Sequence, residues 1–535
     1  MREHMNRRSF LLSAGAMSAG AMSASAAFGR IERLLDSSSI SAEWRTFEVV
    51  TQCPSGAADQ RTTPPQFNPI RALIRERLAQ SQIASMSVAV AREGKIIWEE
   101  GFGWADREKK IPANEHTMYS LASISKPITM TGLMALVQQG KVDLDRPIND
   151  YLRDAKVTAR VGNATDATVR RVATHTAGLP AHLQCFYENE PFRPPKMSET
   201  ISRYGNLITP PGEQFNYSNL GYGILSHLIE QVSGQDFGDF MRKEIFQPLN
   251  LPHMSVVSLN VRPENIGQAA LRYGDDGQPL PFFTSDHPGA SDIYSCAHDL
   301  VRFGMFHLKE HLADQKVVLS DRFIDEMQKT TVSVDGIRFG AGWLTEETST
   351  GYQIVNFPGG MPGVRAVLEI IPSKNIVVVV LENSWTRSAL DISRAILTTL
   401  IPDLYGQDQK QPRQGEPKPW TELAGTWTGT VHTYKSDIPF QLVIDASGSV
   451  RARLGTEPET ALGNARVLPD GHLTGEFSGD LGTEDLKRYA YKLFPYLKQR
   501  GEVLNGALTA GSNDGKRARF ELGHWLELRR RPKPP

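Results

Sequence analysis

Apolar residues recur at Ile70, Leu73, Ile74 and Leu78, the spacing that puts side chains on one face of a helix, so a helix is predicted from Pro69 onward. The period then changes. Two β-rich runs, residues 86–91 and 95–98, flank Glu93-Gly94 and read as a hairpin. A long, mostly helical and loop-rich region covers residues 123–330. Strand patterns return at residues 352–357, 365–371 and 375–381, and a helix pattern follows at 388–400. Two early and three late strands, with helices between and beyond them, predict an α/β sandwich over residues 67–402 whose sheet is completed by the chain's return. Residues 27–66, rich in Ser, Pro, Gln and Thr, read as a linker holding one strand pattern at 44–50. A second linker, polar and Pro-rich, occupies residues 403–419. Beyond it, residues 425–431, 440–444 and 517–522 alternate between Gly, Asp and Asn turns, which predicts an antiparallel β-barrel or sandwich domain over 420–535. Its alternating aromatics Tyr489, Tyr491 and Phe494 are expected in the strand core.

Composition sets limits on partners. With 535 residues, 40% hydrophobic and 22% charged, the chain has the make-up of a soluble multidomain protein. A formal charge of -1 supplies no broad cationic field, so nucleic acid is not an expected partner. The run Arg529, Arg530, Arg531 reads as a solvated tail. Cys53, Cys185 and Cys296 lie far apart, show no metal-ligand spacing and allow at most one disulfide. Arg7 and Arg8 directly precede an apolar stretch that ends in Ala24-Ser25-Ala26, which resembles a twin-arginine export signal over residues 1–26. Once that signal is set aside, no segment is long and apolar enough to span a bilayer, and a periplasmic or secreted protein is expected. Oligomeric state is left open.

Candidate chemistry begins at Ser123 and Lys126, which stand three apart at the start of a helical run and so share a face. A desolvated amine there can take the hydroxyl proton, and a helix N-terminus favours charge developing on the attacked oxygen. Alone the pair is weak, since about one or two such matches arise by chance in a chain this long. Its company is stronger. Tyr217-Ser218-Asn219, following Pro211-Gly212, supplies a phenol and an amide on a tight loop. Phe357-Pro358-Gly359-Gly360-Met361-Pro362-Gly363 is a Gly-rich strand edge where a substrate can approach backbone N–H groups.

Taken in this order, the three segments resemble the S-x-x-K, Y-x-N and K-T-G-type signatures of the serine β-lactamase and penicillin-binding-protein superfamily. Residues 174–180 (Thr174-His175-Thr176-Ala177-Gly178-Leu179-Pro180), 211–219 and 293–300 look like recurrent segments of its class C-like branch. The resemblance implies a β-lactamase/transpeptidase-like sandwich, an antiparallel sheet flanked by helices with a further helical region. It also implies roles: Ser123 as nucleophile, Lys126 as its base and Tyr217 as a second proton carrier, with the primary base open between Lys126 and Tyr217. Asn219 would bond the substrate and hold Lys126, Phe357, Gly359 and Gly360 would line the substrate, and the N–H groups of Ser123 and Gly360 would form the oxyanion hole. No metal or organic cofactor is implied.

One departure bears on substrate. The third signature usually opens with Lys or His, whereas this chain has Phe357 followed by Pro358, which can offer neither a cation nor a hydroxyl. The expected substrate is therefore a small-molecule or peptide-like ester or amide with a neutral acyl part: esterase first, then D-peptidase or carboxypeptidase, then β-lactamase. The alternative is a penicillin-binding-like sensor or binding protein with little turnover. Arg365 and Arg387 are candidates for a cation supplied from elsewhere. His175 is read as a structural loop residue, His298 with Asp299 as a helix start, and Ser125 as off the reactive face.

Overall fold

Helix α1 (Asn68–Gln80) buries Ile70, Ile74 and Leu78 and partly buries Leu73, as their spacing requires. The computed structural model describes residues 64–80, 83–334, 337–406, 419–513 and 517–531. The expected export signal, the strand pattern at 44–50 and Cys53 lie outside the described residues. Strands β1 (Ser85–Arg92) and β2 (Lys95–Asp106) form the predicted hairpin, and its turn residues Glu93 and Gly94 both take positive φ (51° and 73°). Positive φ at both turn positions matches the twist of paired strands.

The connection holds helices α2 (Ser125–Gln138), α3 (Asn219–Ser233) and α4 (Ala297–His307). The chain then returns through β3 (Gln353–Met361), β4 (Val364–Ile371), β5 (Ile376–Glu382) and α5 (Ser388–Leu400). Among the described residues the sheet order is Val332–Val334, Ile337–Phe339, Leu344–Glu347, β3, β4, β5, β1, β2, Ile111–Pro112, every pairing antiparallel. The late strands thus complete the early hairpin through the β1–β5 ladder. Strand β5 is buried along its whole length, which explains its unbroken apolar run. One face of the sheet carries α1 and α5 over Val88, Val90, Val378 and Val380. Each such buried side chain contributes about 1.5–3 kcal/mol. On the other face lies α4, where Gly304 admits a close approach to Val377.

The chain divides into two compact units, one ending at Arg413 and the other beginning at Gln414. In the second unit, antiparallel strands run in the order Thr460–Ala461, Val450–Leu454, Asp437–Ile444, Gly425–His432, Ala518–Arg530, Val503–Asn513, Lys492–Arg500, His472–Glu476, Gly463–Val467. The two ends of that order adjoin in sequence at Leu462, so the sheet nearly closes into a barrel. Inward residues alternate as expected, for example Phe440, Leu442 and Ile444. Two expectations need correction. Tyr489 and Tyr491 precede the strand rather than filling its core, and the Tyr491 hydroxyl bonds to Leu481 N and Asp480, both at 2.8 Å. Arg530 is no solvated tail: it closes the last strand, donates to the Ala424 and Glu422 carbonyls and lies 4.5 Å above the Trp427 ring. Cys185 and Cys296 are buried free thiols. Among the described residues no helix is long and apolar enough to cross a membrane.

Candidate active site

Backbone shape brings Ser123 forward. After the short strand Tyr119–Ser120, Ala122 takes a left-handed conformation (φ 46°), which costs an L-residue about 1–2 kcal/mol. The chain turns sharply through Ala122–Ile124 and runs straight into α2. Ser123 is half-buried, whereas Lys126, one helical turn on, is fully buried. Ser125 faces elsewhere, its hydroxyl accepting from Ile293 N at 3.1 Å.

The Lys126 Nζ lies 3.2 Å from Ser123 Oγ, 2.9 Å from Asn219 Oδ1 and 3.2 Å from the Ala290 carbonyl. Two of these neighbours can only accept. A neutral amine has two N–H groups for them and keeps one lone pair for the Ser123 hydroxyl; an ammonium would donate to all three. The same cage therefore fits the amine before and after it takes a proton. Burial pushes the Lys126 pKa well below its ordinary value, and no carboxylate among the described residues pairs with it.

Tyr217 and Asn219 are aimed by the residue between them. Ser218 caps α3, accepting from Gly221 N at 3.1 Å and donating to the Pro180 carbonyl at 2.7 Å. Tyr217 then sits before the helix and donates to Ser123 Oγ at 2.9 Å, while Asn219 opens the helix and its amide is anchored to the His182 carbonyl at 2.8 Å. Burial drives the Tyr217 pKa upward, against a smaller opposing effect of the Ser123 hydrogen bond. His175 has the structural place expected of it: its Nδ1 accepts from Ser218 N at 3.1 Å and its ring packs 4.5 Å from that of Tyr217.

Strand β3 passes directly behind the nucleophile turn. A side chain at Gly359 would sit 2.2 Å from the Leu121 carbonyl, so only glycine permits this approach. Gly360 pairs in register with Arg365. Phe357 was expected to line the substrate, but its ring is fully buried and packs edge-on to Phe339 at 6.0 Å, in the aromatic wall that continues through His175 to Tyr217. Arg365 is buried, donating to the Thr386 carbonyl at 3.2 Å beside its strand partner Glu382, and Arg387 pairs with Asp391.

Sequence reasoning missed the parts made of backbone. The carbonyls of Ala290 and His182 hold Lys126 and Asn219, and no residue type announces a carbonyl. It also missed the buried cluster below them, in which Asp286 meets His182 at 2.9 Å and His287 at 2.8 Å. Burial alone would raise the Asp286 carboxyl, but the two imidazoles outweigh it and hold it below the usual carboxylate range.

An antiparallel sheet with helices on both faces, crossed by a helical region that delivers Ser123 and Lys126 together, defines the class of serine β-lactamase and penicillin-binding-protein-like hydrolases. A profile described as beta-lactamase matches residues 70–401, and the chain belongs to that family. It is 24% identical over 368 residues to penicillin-binding protein 4* of Bacillus subtilis (strain 168), spanning 63% of this chain and 76% of that protein. With protein flp of Staphylococcus aureus (strain COL) it shares 23% identity over 330 residues, 60% of this chain but only 64% of flp. The octameric penicillin-binding protein homologue from Pyrococcus abyssi superposes with a TM-score of 0.54 at 22% identity, covering 85% of this chain and 99% of its own. A crystal structure of SurE with D-Leu gives 0.57 at 20%, covering 87% and 99%, and the class C beta-lactamase from Rhodobacter sphaeroides gives 0.53 at 20%, covering 62% and 98%.

Proposed function

We propose that this chain is an exported hydrolase that cleaves an ester or amide through an acyl-enzyme on Ser123. The observation that carries the reading is the hydroxyl of the half-buried Ser123, held between the Lys126 amine at 3.2 Å and the Tyr217 phenol at 2.9 Å. As Ser123 Oγ bonds to the substrate carbonyl carbon, its proton passes to Lys126. The tetrahedral intermediate then expels the alcohol or amine, which leaves with a proton relayed through Tyr217. Water repeats the sequence on the acyl group, and the acid departs with Ser123 restored. Burial favours the neutral form of both groups, and a neutral amine is a base whereas a neutral phenol is not; this supports Lys126 as the primary base. The N–H groups of Ser123 and Gly360 are proposed as the oxyanion hole, supported by the tight seat of Gly359 on Leu121.

Phe357 supports an esterase acting on neutral or apolar acyl groups, because the strand position that would otherwise carry a cation holds a buried phenyl ring. The likeness to penicillin-binding protein 4* and to SurE with D-Leu favours a second reading, cleavage next to a D-residue. Export rests on Arg7 and Arg8 ahead of the apolar stretch. The test compares turnover of a short-chain aryl ester, a D-amino-acid anilide and a chromogenic cephalosporin by the mature chain and by Ser123→Ala. Ester turnover is expected to lead and to fall at least about 10³-fold in the variant with its circular dichroism unchanged. Full activity in Ser123→Ala overturns the mechanism, and a single labelling event without repeated turnover assigns a sensor instead.

A further inference from the structure

A second cluster in the catalytic unit takes no part in this chemistry. His116, His253 and Cys296 come from separate segments: the loop before Tyr119–Ser120, the loop before Ser255–Val256, and the N-cap of α4. One ligand atom from each lies within 4.8 Å of the others. The two imidazoles are not held there by packing, since His116 is 46% exposed at its side chain and His253 31%, whereas Cys296 is buried and its Sγ accepts from Asp299 N at 3.4 Å as the cap of α4.

The surroundings are built as second shells of metal sites are. The Asp299 carboxylate is fully buried; one oxygen accepts from His253 N at 2.6 Å, and the other, Oδ1, has no hydrogen-bond partner. It faces His253 Nδ1, also without a partner, across 3.8 Å. Two buried, complementary and unjoined atoms are costly as they stand. A small rotation of the ring would join them, and it would leave Nε2 as the nitrogen presented to a cation, the arrangement in which a carboxylate orients a ligating histidine. On the other side His298, whose Nδ1 meets Glu99 Oε2 at 2.7 Å, brings its ring to 4.9 Å from that of His116.

We propose that His116, His253 and Cys296 form a binding site for a late first-row divalent cation of the zinc class, with Asp299 positioning His253. Two imidazoles and a thiolate suit zinc or cobalt and are wrong for calcium or magnesium, which take oxygen. Ligand atoms on a tetrahedral zinc stand about 3.4 Å apart, given bonds of about 2.0–2.3 Å, so closing the cluster requires shifts on the order of 1 Å. The exposed side of His116 provides entry and leaves a fourth position for water or His298. A bound ion would fasten the segment that leads into Ser123 to the start of α4.

The test uses the untagged mature chain, stripped with a chelator and titrated with cobalt(II). Expected are a thiolate-to-cobalt charge-transfer band in the near ultraviolet, tetrahedral visible bands at one equivalent, and loss of both on adding zinc. Cys296→Ser should lose the charge-transfer band. His116→Ala, at an exposed position, should bind at least about tenfold more weakly while the metal-free protein melts as the wild type does. Absence of the band in the wild type overturns the site; so does a band that survives Cys296→Ser, which would belong to another cysteine, or unchanged affinity in His116→Ala.

Discussion

Replacing Lys126 with methionine keeps an unbranched chain in the buried slot and removes the amine, so it isolates what desolvation does to that group. In the folded protein burial holds the Lys126 pKa well below its ordinary value, whereas the unfolded chain titrates a lysine near about 10.4. Between those two values the unfolded state binds the extra proton, so the wild type gains stability as pH rises and loses it as pH falls. One proton corresponds to about 1.4 kcal/mol per pH unit. The stability difference between wild type and Lys126→Met should therefore move by that slope in favour of the wild type as pH increases, and level off above about 10.4. At the alkaline end the wild type leads, because its amine bonds Asn219 and Ala290 at 2.9 and 3.2 Å, each worth about 1 kcal/mol. Lowering the pH erodes that lead and then reverses it. Urea unfolding of both proteins, followed by fluorescence at fixed ionic strength in half-unit steps from pH 7 to 10.5, measures the difference directly. Parallel curves across that range would mean an ordinary, charged lysine in the folded state, and the amine would be lost as a resting base.

Tyr217→Phe keeps the ring in its aromatic wall but removes the donor to Ser123, so kcat/KM for the ester should fall about 10²–10⁴-fold with stability changed by no more than about 1 kcal/mol; steady-state kinetics and a thermal melt check both, and near-normal turnover would remove Tyr217 from the relay. Gly359→Ala would drive a methyl to 2.2 Å from the Leu121 carbonyl. It should cost about 1–3 kcal/mol and at least about 100-fold in activity, since backbone must move next to the nucleophile turn. Gly360→Ala, whose methyl meets the end of the Arg365 side chain at 3.1 Å rather than backbone, should keep the fold and serves as the stability control, with urea midpoints as the readout.

How much of this was visible in the chain depends on whether the signal lies in side chains or in backbone. Helix α1, the β1–β2 hairpin and α5 follow from periodicity because each buries a defined face and each is long enough to show it. The meeting of Ser123, Lys126, Tyr217 and Asn219 followed from helical spacing and from motif company. What stayed hidden is carried by conformation: the left-handed Ala122, the carbonyls that cage Lys126, and the aromatic wall, whose members Phe339 and Phe357 lie on different strands. The register of the last barrel strand was hidden too, because Arg530 looks charged in sequence while its guanidinium is spent on carbonyls and a tryptophan face.

Burial acts in the same direction on both proton carriers, and this bears on what the crevice will accept. Burial lowers the Lys126 pKa and raises that of Tyr217, so it disfavours charge on both groups beside Ser123. An anionic substrate would have to shed water, at a cost of several kcal/mol, and the strand position that would otherwise supply a cation holds the buried Phe357 ring. Arg365 is itself buried, its Nε donating to the Thr386 carbonyl at 3.2 Å beside Glu382, whose carboxyl burial pushes up to about 8. A neutral acyl chain meets no such cost and gains about 0.8 kcal/mol for each methylene it buries. On the proposed mechanism, a substitution that lets water reach Lys126 should lift its pKa back toward the ordinary lysine value and slow ester turnover.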